Sequence, residues 1–353
     1  SAASDVYKRQ VFKVIGDLDP IMDVDSDLIL GWARMAVLTL CMAWAAWFDH
    51  KERKVSNEHW IVWTKPIVFI WTLDLLMQQP HWSVWLTASG LLAYASGSVI
   101  GRPTLRDVRA GNRLDQIVLV WYLLSVIGII AAGFRFASTS PLDVLVGDAS
   151  PEAALWWSYV GALFTILIID LAWRLRFIHG GADAKALMWV TLLFPSWDSV
   201  PVSYTTAMEE AVLHLPPSLS LLIWGGFLFI LIPFVLFFRN ILSGSVKNFS
   251  DLTMAWMALC VPLKEVRERH VWLLTDTMEM PNGEVVLNHR RRAPRRTPTD
   301  VEMNEHIERL EIFGAERIWV SLKLPLLLFL FPAIVPLWLI GDPMAALLPL
   351  ILP

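Results

Sequence analysis

Eight apolar runs, at about 30–48, 61–77, 82–100, 117–134, 154–173, 185–195, 217–238 and 322–340, constrain this chain more than any other feature. Most are long enough to cross a hydrocarbon core of roughly 30 Å at about 1.5 Å per residue. In lipid, a backbone must satisfy its own hydrogen bonds, so such runs fold as helices. The chain is 56% hydrophobic, 18% charged and carries 19 Trp, a composition that excludes an ordinary soluble core. The run at 185–195 is short. It can cross only if buried among other helices or lengthened by its polar flank. The expected fold is an all-α polytopic membrane protein with six to eight transmembrane helices and a small cytoplasmic α+β segment near the C-terminus.

The runs divide the chain into an N-terminal segment, 1–29, a transmembrane bundle, 30–240, a soluble segment, 241–318, and a C-terminal helix and tail, 319–353. The first ten residues, SAASDVYKRQ, have no apolar core and differ in character from the remainder of the chain, so they are read as non-native and carry no argument. Trp60, Trp63, Trp82, Trp85, Trp156, Trp157 and Trp319 lie near run ends and read as interface anchors. In the soluble segment, Asn282-Gly283 between β-formers predicts a tight hairpin. Thr299 with Glu302 predicts a capped helix start. Arg290, Arg291, Arg292, Arg295 and Arg296 form a cluster suited to topology anchoring or anionic lipid, not nucleic acid.

Charge sets orientation. Lys51, Arg53 and Lys54 follow the first run; Arg102, Arg106, Arg109 and Arg113 follow the third; Arg174, Arg176 and Lys185 follow the fifth. The alternate loops hold Arg135 alone. The positive-inside rule places the basic loops in the cytoplasm, in the cell membrane. Asp49 ends the first run and Asp183 precedes the sixth, with four crossings between them. An even number returns Asp183 to the face of Asp49, so the two carboxylates can meet.

A carboxylate at a membrane boundary is costly without work or a partner. Two that share a proton supply an activated water and a proton donor, the requirements of peptide hydrolysis. Gly180 and Gly181 permit positive φ and close backbone approach beside Asp183. The dipole of the helix that Asp183 opens makes it the expected more acidic member. The bland reading is equally open here: an aspartate at a span end also serves as a cap or as the partner of a nearby base. Asp170 precedes Arg174 by one turn and pairs with it; Asp74 pairs with Arg34; Lys65 snorkels. His50 and His179 flank the candidate aspartates, as tuners of charge or as solvated loop residues. Two cysteines, Cys41 and Cys260, give neither a disulfide framework nor a zinc site, and no His-Glu-x-x-His pattern occurs. Nothing in the sequence requires a metal or cofactor.

These residues resemble the archaeal preflagellin (prearchaellin) peptidases, type IV prepilin peptidase-like membrane aspartyl proteases with a Gly-x-Gly-Asp signature. Asp49 with Lys51, Arg53 and Lys54, then Val55-Ser56-Asn57, is similar to the first family aspartate and its basic stretch. Gly180-Gly181-Ala182-Asp183-Ala184-Lys185 is similar to the signature, with Ala182 in place of a glycine. Pro233 to Asn240, Glu316 to Val320, Leu324-Pro325 and Gly341-Asp342 look like later family stretches. The resemblance implies catalytic Asp49 and Asp183, with Gly180, Gly181, Ala182, Lys185 and Arg53 shaping the site. It implies archaellin or pilin-like precursors as substrates and a cytoplasm-facing site. The helices near 82–134 would be additions to a core of about six spans. The zinc-binding Cys pairs of many bacterial prepilin peptidases are absent, as is the presenilin-like Pro-Ala-Leu motif. A presenilin-like intramembrane protease and a transporter using Asp74, Asp170 and Asp183 are the alternatives; no inverted repeat supports the latter.

Overall fold

The computed structural model describes residues 26–201 and 214–351 except 282, 295 and 297. In chain order the first unit holds α1 (Ser26–Glu52), α2 (Asn57–Gln78), α3 (Trp82–Ile100), α4 (Leu105–Arg109), α5 (Arg113–Arg135), α6 (Pro141–Val146), α7 (Pro151–Arg174) and α8 (Gly181–Leu193). Then come α9 (Pro217–Ile230) and α10 (Ile232–Leu242). Among the described residues, six segments are long and apolar enough to cross a membrane: α1, α2, α3, α5, α7 and the continuous Pro217–Leu242 stretch. The protein is a polytopic, multi-pass membrane protein.

Two of the eight expected spans fall short. At 13 residues α8 is roughly 20 Å long, less than a hydrocarbon core. Ala184 and every residue from Ala186 to Leu193 are buried, so α8 survives as a helix inside the protein, not against lipid. The eighth run starts in a strand, and its helical part, Leu327–Leu339, is short and interrupted. Pro332 and Pro336 fall in this stretch, and each removes a backbone donor. At Leu231 the Pro217–Leu242 span breaks into α9 and α10, with Pro233 in the first turn of α10.

Small residues let the helices approach. A Cβ added at Gly128 of α5 would lie 2.3 Å from Leu86 Cβ of α3, and one at Gly90 would lie 2.8 Å from Ser125 Cβ. This α3–α5 seam holds α5 almost alone: only Ser125, Gly128 and Ala132 of α5 are buried. α3 is central, packing on α7 and α8 as well. Of the two runs read as additions, α3 is therefore core and α5 peripheral. Several tryptophans fail the interface expectation. Trp60 and Trp156 are buried in the bundle, and Trp319 is buried in a strand. The Trp71 indole donates to Leu192 O at 2.7 Å and Trp189 to Trp60 O at 3.1 Å, pinning α8 to α2.

The chain divides into two compact units, the second being Gly226–Pro325. This second unit adds α11 (Phe249–Ala255), β1 (Leu259–Pro262), β2 (Val271–Leu273), β3 (Thr275–Glu279), β4 (Val285–His289), α12 (Asp300–Ile312) and β5 (Arg317–Leu322). The first unit ends with α13 (Leu327–Leu330), α14 (Ile334–Leu339) and α15 (Pro343–Ile351). An antiparallel sheet runs β1-β5-β2, with Val320 between Leu259 and Leu273. Leu310 and Ile307 of α12 join Ile318 and Val261 in its core. The expected hairpin is β3–β4, with Gly283 at φ 81°; Asn282 lies outside the described residues. Thr299 and Glu302 form the expected reciprocal cap. Within the arginine cluster, Arg290 pairs with Asp276 and Arg296 with Glu302, while Arg295 lies outside the described residues.

Candidate active site

Asp49 sits in the last turn of α1 and is buried. The helix ends three residues later, at Glu52, because Arg53 takes the left-handed conformation, φ 56°, and its N–H returns to Asp49 O at 3.2 Å. That conformation costs a non-glycine residue roughly 1 kcal/mol, and it turns the chain into Ser56, which caps α2. The Arg53 guanidinium lies in the field of Asp49, and its Nε is buried with no hydrogen-bond partner.

Asp183 stands in the first turn of α8, outside the six spans. The bundle brings it within Coulombic reach of Asp49, as the even number of crossings allows. Burial pushes the Asp183 carboxyl up to about 7, the Asp49 charge pushes the same way, and the Leu327 backbone N–H opposes them. Its Oδ1 is buried with no hydrogen-bond partner. Desolvation thus works against the dipole of this 13-residue helix, the ground on which Asp183 was expected to be the more acidic member.

The glycines act differently from expectation. Gly180 has φ −85° and Gly181 is helical, so neither uses positive φ. What Gly180 supplies is room: a Cβ there would lie 2.1 Å from Asp183 Oδ2. A Cβ at Gly181 would lie 3.1 Å from the Trp173 ring. Ala182 lies in the same turn and is partly buried. Lys185 does not join the carboxylates in any direct bond described. Its Nζ donates to Asn57 Oδ1 at 2.7 Å and lies 5.9 Å from the Trp173 ring centre. Asn57 in turn donates to Val99 O at 2.9 Å, tying α8 to the start of α2 and the end of α3. Sequence reasoning gave Asn57 no role beyond its place in the Val55-Ser56-Asn57 stretch of the resemblance.

Two other buried carboxylates, Asp74 and Asp170, are consumed by bases. Asp74 accepts from Arg34, as expected, and from Gln78 at 2.7 Å. Asp170 accepts from Arg174 at 2.9 Å, and also from Arg102 at 2.8 Å and Tyr94 at 3.1 Å. The last two come from or just past α3, whose packing on α7 the sequence did not specify. His50, His179 and Lys65 are exposed. Among the described residues, no group of three or more His, Cys, Asp or Glu is placed to hold a metal ion. No protein-family model and no curated protein matches this chain.

Proposed function

We propose that this protein is a membrane aspartyl endopeptidase of the prepilin and preflagellin peptidase type. It removes the short leader from archaellin or type IV pilin-like precursors at the cytoplasmic membrane face. One observation carries the proposal. Asp74 and Asp170 are neutralised by arginines, whereas Asp183 keeps a buried oxygen without a hydrogen-bond partner and lies within Coulombic reach of a second carboxylate, Asp49. Two carboxylates at short range share one proton, because repulsion and desolvation oppose double ionisation.

In this reading Asp183 holds the proton and Asp49, beside Arg53, is the base. Asp49 takes a proton from water as the water oxygen bonds to the scissile carbonyl carbon. Asp183 gives its proton to the carbonyl oxygen. The tetrahedral intermediate collapses by breaking its C–N bond, the leaving amine takes the proton held by Asp49, and Asp183 recovers its own. Gly180 keeps the Asp183 carboxylate close against the loop backbone. The transporter alternative loses two of its three carboxylates to ion pairs.

The test is incubation of an archaellin precursor with membranes carrying this protein and a chelator, followed by determination of the new N-terminus. The proposal expects one cut, at the leader junction. A cut within the hydrophobic segment favours the presenilin-like reading, and no cut in any pilin-like precursor overturns the proposal.

A further inference from the structure

Beside the candidate active site, a cleft of about 360 Å³ opens between the end of α3 and the end of α7. Gly97, Ser98, Arg102, Asp170, Trp173 and Arg174 line it. Both helices are membrane spans that end here, at the level where lipid headgroups begin. The cleft's charge is unbalanced. Arg102 Nη2 and Arg174 Nε converge on a single oxygen, Asp170 Oδ2, at 2.8 and 2.9 Å. Two guanidiniums face one carboxylate, leaving a net charge of +1. Each guanidinium has five N–H donors, and those bonds occupy a minority of them.

The backbone is shaped to make this arrangement. Arg102 lies back along α3 over Gly97, where a Cβ would come 3.2 Å from Arg102 Cγ and 3.0 Å from the Tyr122 hydroxyl. Tyr94 stacks under the same guanidinium at 4.7 Å and accepts a hydrogen bond from it at 3.0 Å. Arg102 is thus held at the membrane boundary, with a third of its side chain still exposed. Arg174 is more exposed still. Planar, fixed guanidinium forks at this depth suit a phosphate group. Basic pockets between spans recognise anionic headgroups in this way.

We infer that the Arg102–Arg174 cleft binds the phosphate of an anionic lipid headgroup. The phosphate sits against the outward N–H groups of both arginines, and Asp170 holds them in place. Trp173 forms the wall shared with the α8 start, through its contact with Gly181. The site is separate from the carboxylate pair and stands whether or not that pair is catalytic.

Native mass spectrometry of the full-length protein in mild detergent tests this. The protein is titrated with phosphatidylglycerol, with phosphatidylcholine, or with inorganic phosphate alone. Wild type should retain phosphatidylglycerol over phosphatidylcholine. Arg174→Gln, which leaves the Arg102–Asp170 pair intact, should weaken that retention about five-fold, the loss of one juxtamembrane cation. Ser98→Asp keeps both arginines but adds a carboxylate to the cleft, and should weaken it at least as much. Arg135→Gln, at the far ends of the spans, should leave it unchanged. If inorganic phosphate displaces the lipid at equal concentration, the phosphate site stands and its source is soluble phosphate. Equal retention of both lipids by wild type, or unchanged retention in both cleft variants, overturns the inference.

Discussion

Gly180→Ala separates the geometry of the carboxylate pair from the stability of the fold. Gly180 has φ −85° and ψ 122°, a conformation open to any L-residue, so alanine brings no backbone strain. As an N-cap, alanine is less favourable than glycine by under about 1 kcal/mol. The cost falls elsewhere. The new Cβ would lie 2.1 Å from Asp183 Oδ2 and 2.8 Å from its Cγ, where real contacts stay beyond about 3.0 Å. The carboxylate end must therefore move by about 0.9 Å, the difference between 3.0 and 2.1 Å. A carboxylate can swing that far cheaply, but it then leaves its position relative to Asp49. A displacement near 1 Å at reacting groups costs on the order of 100-fold in rate, or about 2.7 kcal/mol of barrier. Precursor cleavage should fall about 100-fold in kcat/KM, while the thermal midpoint of the purified protein shifts by only a few degrees. Ala182→Gly, in the same turn, should cost about 0.5–1 kcal/mol of helix stability and leave the rate nearly intact. Wild-type cleavage by Gly180→Ala would refute the reasoning.

Asp183 also sets a pH dependence. Its folded-state value of about 7 lies above its ordinary 3.8, so between these values the folded protein binds a proton that the unfolded chain does not. Stability contributed by this group is present below about 4 and is lost as pH rises through about 7. Melting from pH 5 to pH 8 should show that decline, Asp183→Asn should flatten it, and kcat/KM should fall across the same window. Arg34→Leu leaves Asp74 buried and without its cation, so it should destabilise by roughly 3–5 kcal/mol; adding Asp74→Leu should recover most of this, as read by thermal melting. Gly128→Val forces α5 away from Leu86 and should cost roughly 1–3 kcal/mol by the same measurement, with cleavage retained because α5 is peripheral.

The bundle was legible because hydropathy and charge act locally: each of the six spans contains one apolar run and extends no more than four residues beyond it at either end. The Arg34–Asp74 and Asp170–Arg174 pairs were legible too, since a buried charge demands a partner and few were in range. Arg102 and Tyr94 were not, because they reach Asp170 from another helix, and which helices pack together is set by side-chain fit across the bundle. β5 was misread as the approach to a final span. Its Ile-Trp-Val run is apolar enough for lipid, and only pairing with β1 and β2 distinguishes it. The glycines beside Asp183 were identified for the wrong reason: sequence shows that a side chain is missing, whereas only coordinates show which atom occupies the space.

The central claim is that Asp49 and Asp183 act as one catalytic pair. Its most direct test is cleavage of an archaellin precursor by membranes carrying wild type, Asp49→Asn or Asp183→Asn at equal abundance. Asparagine keeps size and polarity but cannot share a proton. Cleavage at the leader junction by wild type and its loss in both variants is the predicted result. Persisting cleavage in either variant would make that aspartate structural and contradict the account.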